Sequence, residues 1–196
     1  MGKIFCIMGK SSSGKDSIYR QIMEENELSL KPIIPYTTRP VRMGEKDGRE
    51  YHFCSEETVG ELEAGGKIIE LRAYNTVYGI WKYFTVDDGQ IDLEDSCYLY
   101  IVTLEGCVRI QKYFGKDRVV PIYIEVEDGE RLLRAIERER QQENPQYEEM
   151  CRRFLADASD FSEEKLKEAG IGKRFVNTQL GETIRQVTEY IRQKME

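Results

Sequence analysis

Seven residues near the start of the chain, Gly9-Lys10-Ser11-Ser12-Ser13-Gly14-Lys15, have the types and spacing to hold a phosphate. Two glycines with four residues between them let backbone amides turn inward around an anion, and the lysine that follows adds a point charge. A strand-like run precedes the loop and a helical pattern follows it, so the positive end of a helix dipole faces the same point. Asp16 comes next, where such a loop ordinarily carries a Ser or Thr hydroxyl for Mg²⁺, and Ser17 stands one place later on another side of the helix. A carboxylate beside a polyphosphate is repelled unless a metal ion lies between them, so Asp16 either is the candidate metal ligand or marks a site altered from the usual pattern. A second cluster follows. Arg39 and Arg42 are three residues apart, with Tyr51 further on. Two guanidinium forks and a phenol suit a phosphate monoester, because each fork gives parallel hydrogen bonds and the phenol a directional donor.

These groups need a frame. Residues 3–9 read as a buried parallel strand, and the helical pattern covers about 15–24. Residues 32–38 read as a second strand, pushed to an edge or an irregular course by Pro32 and Pro35. A polar, turn-rich stretch over 39–50 leads to three short aromatic and β-branched runs, 51–53, 67–74 and 76–80, which predict a small antiparallel sheet. His52 alternates with Tyr51 and Phe53 there and reads as a surface strand residue. Residues 97–103 return to a buried-strand pattern and feed a helix near 104–114. Residues 118–126 form the next strand, although Pro121 speaks against a central position. From Gly129 the chain is helical and highly charged, with a break at Asn144-Pro145. A short strand at 174–177 and a helix over 181–194, apolar at Ile184, Val187 and Ile191, complete the series. Strands alternating with helices predict an α/β fold, a three-layer sandwich around a parallel sheet.

Composition narrows the classes further. The chain has 196 residues, 40% of them hydrophobic and 33% charged, which suits one folded domain and excludes a disordered chain. With 29 Lys plus Arg against 36 Asp plus Glu, the formal charge of −7 argues against a general nucleic-acid or anionic-membrane surface. Five scattered cysteines form no C-x-x-C pair, so neither a disulfide framework nor a zinc site is signalled. The longest apolar runs are strand-sized and too short for a bilayer. Gly2 and Lys3 lead directly into a strand, so a cytoplasmic location is expected. Homo-oligomerisation is left open.

The stretch Thr37-Thr38-Arg39-Pro40-Val41-Arg42-Met43-Gly44-Glu45-Lys46-Asp47-Gly48-Arg49-Glu50-Tyr51-His52-Phe53 closely resembles the nucleotide-binding signature of guanylate kinases, T-T-R-x-x-R-x-G-E-x-x-G-x-x-Y-x-F. The likeness covers nearly the whole chain. It implies a P-loop kinase with a core over about 1–35, 95–130 and 154–196, a monophosphate-binding insert over about 36–94, and a helical lid over about 131–153. It further implies that ATP lies over Gly9, Lys10, Ser11, Ser12, Ser13, Gly14, Lys15, Asp16 and Ser17, with Asn177 against the adenine. GMP would be held by Arg39, Arg42, Glu45, Tyr51 and Tyr78, with Glu70 accepting hydrogen bonds from guanine N1 and N2; a structural ion pair is the rival role for Glu70. Lys15, Arg134, Arg138 and Arg153 are the implied catalytic cations, together with Mg²⁺. The sequence departs from the family at Pro35, Ile80, Ile101 and Thr103, where a Ser, a Ser or Thr, and two acidic residues are usual. The expected reaction is phosphorylation of GMP by ATP. Two other readings stay open: a kinase of the same fold acting on another phosphorylated acceptor such as a ribose phosphate, and a non-catalytic protein-binding module.

Overall fold

The computed structural model describes residues 1–76 and 79–196. Its main sheet has five parallel strands in the order β2-β7-β1-β8-β9: β2 (Lys31–Pro32), β7 (Tyr98–Ile101), β1 (Ile4–Met8), β8 (Val119–Glu125) and β9 (Arg174–Val176). Every residue of β1 is buried, as a strand covered on both faces must be. Side-chain alternation divides its apolar residues between two cores. Phe5 and Ile7 pack with Ile18 and Ile22 of α1 (Lys15–Glu25) and with Val187 and Ile191 of α7 (Leu180–Met195). Ile4, Cys6 and Met8 pack on the other face with Cys107 and Ile110 of α3 (Leu104–Phe114) and Leu166 of α6 (Glu163–Glu168). The three-layer α/β sandwich follows.

Pro121 lies inside a strand paired on both sides, contrary to the expectation drawn from its type. The ladder explains why. Arg118 O accepts from Ile4 N on the β1 side, whereas Glu125 O accepts from Asn177 N on the β9 side. Odd-numbered residues of β8 therefore face β9, and β9 pairs only from Tyr123 onward. The missing N–H of Pro121 removes no ladder bond.

A second, four-stranded sheet has the order β4-β3-β6-β5, from β4 (His52–Phe53), β3 (Tyr36–Thr37), β6 (Gly79–Val86) and β5 (Ile68–Thr76). Two expectations are corrected here. The single strand read over 32–38 is split between the two sheets, β2 in one and β3 in the other. The small sheet is mixed rather than antiparallel, because β3 and β4 run parallel while β3–β6 and β5–β6 are antiparallel. The run read over 76–80 spans the end of β5 and the start of β6, which continues to Val86. A helix absent from the sequence reading, α2 (Glu56–Ala64), covers one face of this sheet, where Val59 and Leu62 meet Phe84, Val86, Ile68 and Leu71. Its signal was present: Ser55 caps it by accepting from Thr58 N, and two glutamates open its first turn.

The charged segment forms α4 (Asp128–Arg140) and α5 (Tyr147–Asp160). Buried Glu139 closes the turn between them by accepting from Gln146 N at 2.9 Å. Among the described residues, no helix is long and apolar enough to cross a membrane.

Candidate active site

The loop between β1 and α1 is shaped by three local requirements. Gly9 packs so closely on the main chain that a Cβ there would sit 2.5 Å from Ile124 O. Ser12 and Gly14 adopt left-handed backbone, with φ of 63° and 86°. Gly14 is the N-cap of α1 and supplies no side-chain cap, so the first amides of the helix stay open toward the loop. The hydroxyls of Ser12 and Ser13 are buried without a hydrogen-bond partner among the described residues. Buried orphan donors beside open helix amides fit a bound phosphate. Lys15 Nζ lies 3.1 Å from Asp16 Oδ2, and the Asp16 side chain is largely exposed.

The loop is braced from outside by residues that the sequence reading did not select. Asp157 of α5 accepts from Ser11 N at 2.7 Å. Arg131 of α4 is fully buried and donates to Ser11 O at 2.9 Å and to Asp128 Oδ1 at 2.8 and 3.0 Å. Its guanidinium lies 3.4 Å from Asp157 and 4.7 Å over the Phe154 ring. Lys10 completes the brace on Asp128 at 3.1 Å. Burial works against ionisation of Asp128, but hydrogen bonds from Arg131 and Lys10 hold its carboxyl below the ordinary range. On the inner side, buried Asn177 donates to Ser13 O at 2.8 Å and accepts from Thr183 Oγ1 at 3.2 Å. Both ends of its amide are thus committed within the protein.

A cavity of about 360 Å³ opens where this brace meets the arginine signature loop, and Ser11, Ser12, Arg42, Arg138, Arg153 and Gln142 are on its wall. The structure therefore gathers the loop, one signature arginine and three arginines of the helical pair (Arg131, Arg138 and Arg153) around one space. Arg134 is not on this wall; it is bonded to Glu130 at 3.0 Å and to Asn177 O at 3.2 Å. Arg39 is set back from the wall. Its fork binds Glu45 at 2.8 and 3.0 Å, and it lies 5.4 Å over the Tyr51 ring and 5.6 Å over Phe53. Burial opposes the charge of Arg39, yet the Glu45 hydrogen bonds keep the guanidinium above its ordinary range. The same hydrogen bond holds the Glu45 carboxyl below its own. Glu45 also accepts from Arg42 N at 2.8 Å, so it organises the signature loop. Tyr78 lies outside the described residues.

Glu70 is buried, and Arg72 binds both its oxygens, at 2.9 and 3.1 Å. The ion pair that sequence left as the rival role is present. His52 packs against Tyr36, ring centroids 4.6 Å apart.

A guanylate kinase family model matches residues 1–194. The chain belongs to the guanylate kinase family. Among curated guanylate kinases, that of Mycoplasma mobile is 34% identical over 61% of this chain, and that of Porphyromonas gingivalis 31% identical over 63%. The matched stretches span 58% and 65% of those two proteins, under two thirds of each. The crystal structure of guanylate kinase from Anaplasma phagocytophilum shares the fold, with a TM-score of 0.65, 22% identity, and coverage of 100% of this chain and 87% of that one.

For a guanylate kinase family member, the metal side of the loop is spare. Among the described residues, no group of three or more His, Cys, Asp or Glu is placed to hold a metal ion. At the two positions where acidic residues are usual, Ile101 ends β7 and Thr103 caps α3, accepting from Gly106 N at 3.1 Å. Asp16 is the hard oxygen donor at the first turn of α1. One such carboxylate fits Mg²⁺ carried mainly by nucleotide phosphates and water.

Proposed function

We propose that the protein transfers the γ-phosphoryl group of ATP to GMP, giving ADP and GDP. The observation that carries this reading is the cavity that joins Ser11 and Ser12 of the phosphate loop to Arg42, Arg138 and Arg153. Two phosphorylated substrates placed end to end across that space put their charges among cations drawn from three parts of the chain. Loop amides and Lys15 take the β- and γ-phosphates of ATP, with Asp16 and Ser17 on the first turn of α1. Arg39, Arg42 and Tyr51 take the GMP phosphate, and Glu45 aligns both arginines for it.

A GMP phosphate oxygen forms the new bond to the γ-phosphorus as the bond to the β–γ bridging oxygen breaks. The attacking oxygen is already anionic, so no general base is required. Lys15, Arg134, Arg138 and Arg153 neutralise charge on the oxygens in flight. Mg²⁺, where bound at Asp16, supplies further charge neutralisation on the ATP phosphates. Asn177 acts through the loop it props rather than on the base. The helical pair over about 131–153 serves as the lid and the unit over about 36–94 as the acceptor-binding insert, with closure excluding water as a competing acceptor. A cytoplasmic location goes with these substrates.

The reading is tested by ADP release measured with GMP, AMP, dGMP, UMP and ribose phosphates as acceptors. Turnover of ribose phosphates without turnover of GMP overturns it, and so does absence of turnover with every acceptor, the outcome of a binding module. Arg39→Lys keeps the charge but loses the fork, so KM for GMP should rise about tenfold or more while KM for ATP stays within about twofold. Equal rises for both nucleotides would remove Arg39 from the acceptor side.

Asp16→Asn probes the metal side. The Mg²⁺ concentration for half-maximal rate should rise several-fold with a fall in kcat, because one carboxylate ligand is lost. Nucleotide binding without metal should stay equal or tighten, since a repulsion is gone. An unchanged Mg²⁺ requirement would leave Asp16 as a helix N-terminal charge and nothing more.

A further inference from the structure

Glu70 and Arg72 are alternate residues of β5 on the face turned away from α2, and Tyr83 stands opposite Arg72 in the ladder. Arg72 Nε donates to Glu70 Oε2 and Nη2 to Oε1. Thr85 Oγ1 donates to the same Oε1 at 2.9 Å and shares a 2.9 Å hydrogen bond with the Tyr100 hydroxyl. The Glu70 side chain has no exposure, whereas Arg72 keeps 15%. The carboxylate is therefore satisfied inside the protein. The polar group left to meet a ligand is Arg72 Nη1, whose N–H groups have no partner among the described residues. Along the same face Tyr74 and Tyr51 each lie edge-on to Tyr83, 5.7 Å between centroids, and Arg39 lies over Tyr51. An aromatic floor thus runs from the phosphate clamp at Arg39 to a guanidinium at Arg72.

We infer that Arg72, and not Glu70, reads the base of the acceptor, and that it reads a carbonyl oxygen. This rests on the acceptor being a purine nucleoside monophosphate, as proposed above. A guanidinium only donates, so it pairs with O6 of a 6-oxopurine and leaves a 6-amino group facing a donor. Glu70 is a positioning residue that fixes the plane of the fork by holding Nε and Nη2. No free carboxylate remains to read the 2-amino group of guanine. The site therefore accepts 6-oxopurine monophosphates as a class, GMP and IMP alike, and refuses AMP.

Calorimetric binding of GMP, IMP and AMP, with kcat/KM for each alongside ATP, tests this on the full chain and on Arg72→Lys and Glu70→Gln. Arg72→Lys keeps a counter-charge for Glu70, so the strand is not left with a buried unpaired carboxylate. In the unaltered protein IMP should bind within about threefold of GMP, and AMP about 10²-fold more weakly, the worth of a charged hydrogen bond. Arg72→Lys should bring GMP and IMP within about tenfold of AMP with ATP affinity unchanged. Glu70→Gln should weaken GMP and IMP by one shared factor. IMP binding 10²-fold below GMP, with that gap lost in Glu70→Gln, overturns the inference, as does a GMP/AMP ratio unmoved by Arg72→Lys while GMP is still phosphorylated. If none of the three monophosphates binds although ATP does, the acceptor assignment itself falls and takes this inference with it.

Discussion

Lys15→Met is expected to lower kcat by about 10³-fold while the protein stays folded, the scale seen when a positioned donor to developing charge is lost. The lysine ends the phosphate loop beside open helix amides, and its only partner among the described residues is the largely exposed Asp16. An exposed pair of that kind contributes about 0–1 kcal/mol, so its loss leaves stability nearly unchanged. Methionine matches the length of the stem and keeps its packing. What disappears is a cation that in the proposed complex turns from Asp16 to the γ-phosphoryl oxygens. Single-turnover rates with ATP and GMP, beside a thermal melt, separate the two effects. A loss below about tenfold with an unchanged melt would place Lys15 away from the group in flight.

Arg131→Met should carry the largest stability effect of any change near the site. Arg131 is fully buried and ties Ser11, Asp128 and Asp157 into one cluster. Removing one partner of a buried pair costs about 3–5 kcal/mol, because the remaining charge loses its compensation. Asp128 is half exposed and keeps Lys10, so most of the cost falls on Asp157, and the low end of that range applies. For a chain of this size about 3 kcal/mol lowers Tm by roughly 6–12 °C. Asp157→Asn in the same chain should restore more than half of the loss, since the uncompensated charge goes while an oxygen remains for Ser11 N. Urea unfolding of both variants measures this. A double variant no more stable than Arg131→Met would shift the cost to lost packing on Phe154.

Much of the site was legible because its determinants are local. The phosphate loop is defined by which residues can take left-handed backbone and which side chain follows them, and Gly14 and Lys15 stand where that logic puts them. Helix α3 begins at Leu104 as expected, because Thr103 is a hydroxyl cap and the apolar spacing starts there. The arginine signature at Arg39 and Arg42 could be read for phosphate before any contact was known. The Arg72 partnership was also within reach, since alternate residues of a strand share a face and a guanidinium stood two places from a carboxylate.

Other features were decided only by the folded chain. Nothing local says that β3 and β4 run parallel, because strand direction depends on where the intervening chain travels. Pro121 looked misplaced in an inner strand until the reach of β9 showed that its missing donor costs no bond. The brace of the phosphate loop joins Ser11 to residues 120 and 146 positions away, at Arg131 and Asp157. In sequence both are ordinary members of a charged helical segment, where most such groups face water. Periodicity tells which face of a helix is apolar, but only packing tells which charged side chain is driven inside and what must then neutralise it. By itself the sequence determined the chemistry of the loop and the clamp, the alternation of strand and helix, and hence the α/β class. Tertiary structure decided which cations meet in one cavity, and whether Glu70 faces a ligand or an arginine, because burial and charge pairing depend on partners far apart along the chain.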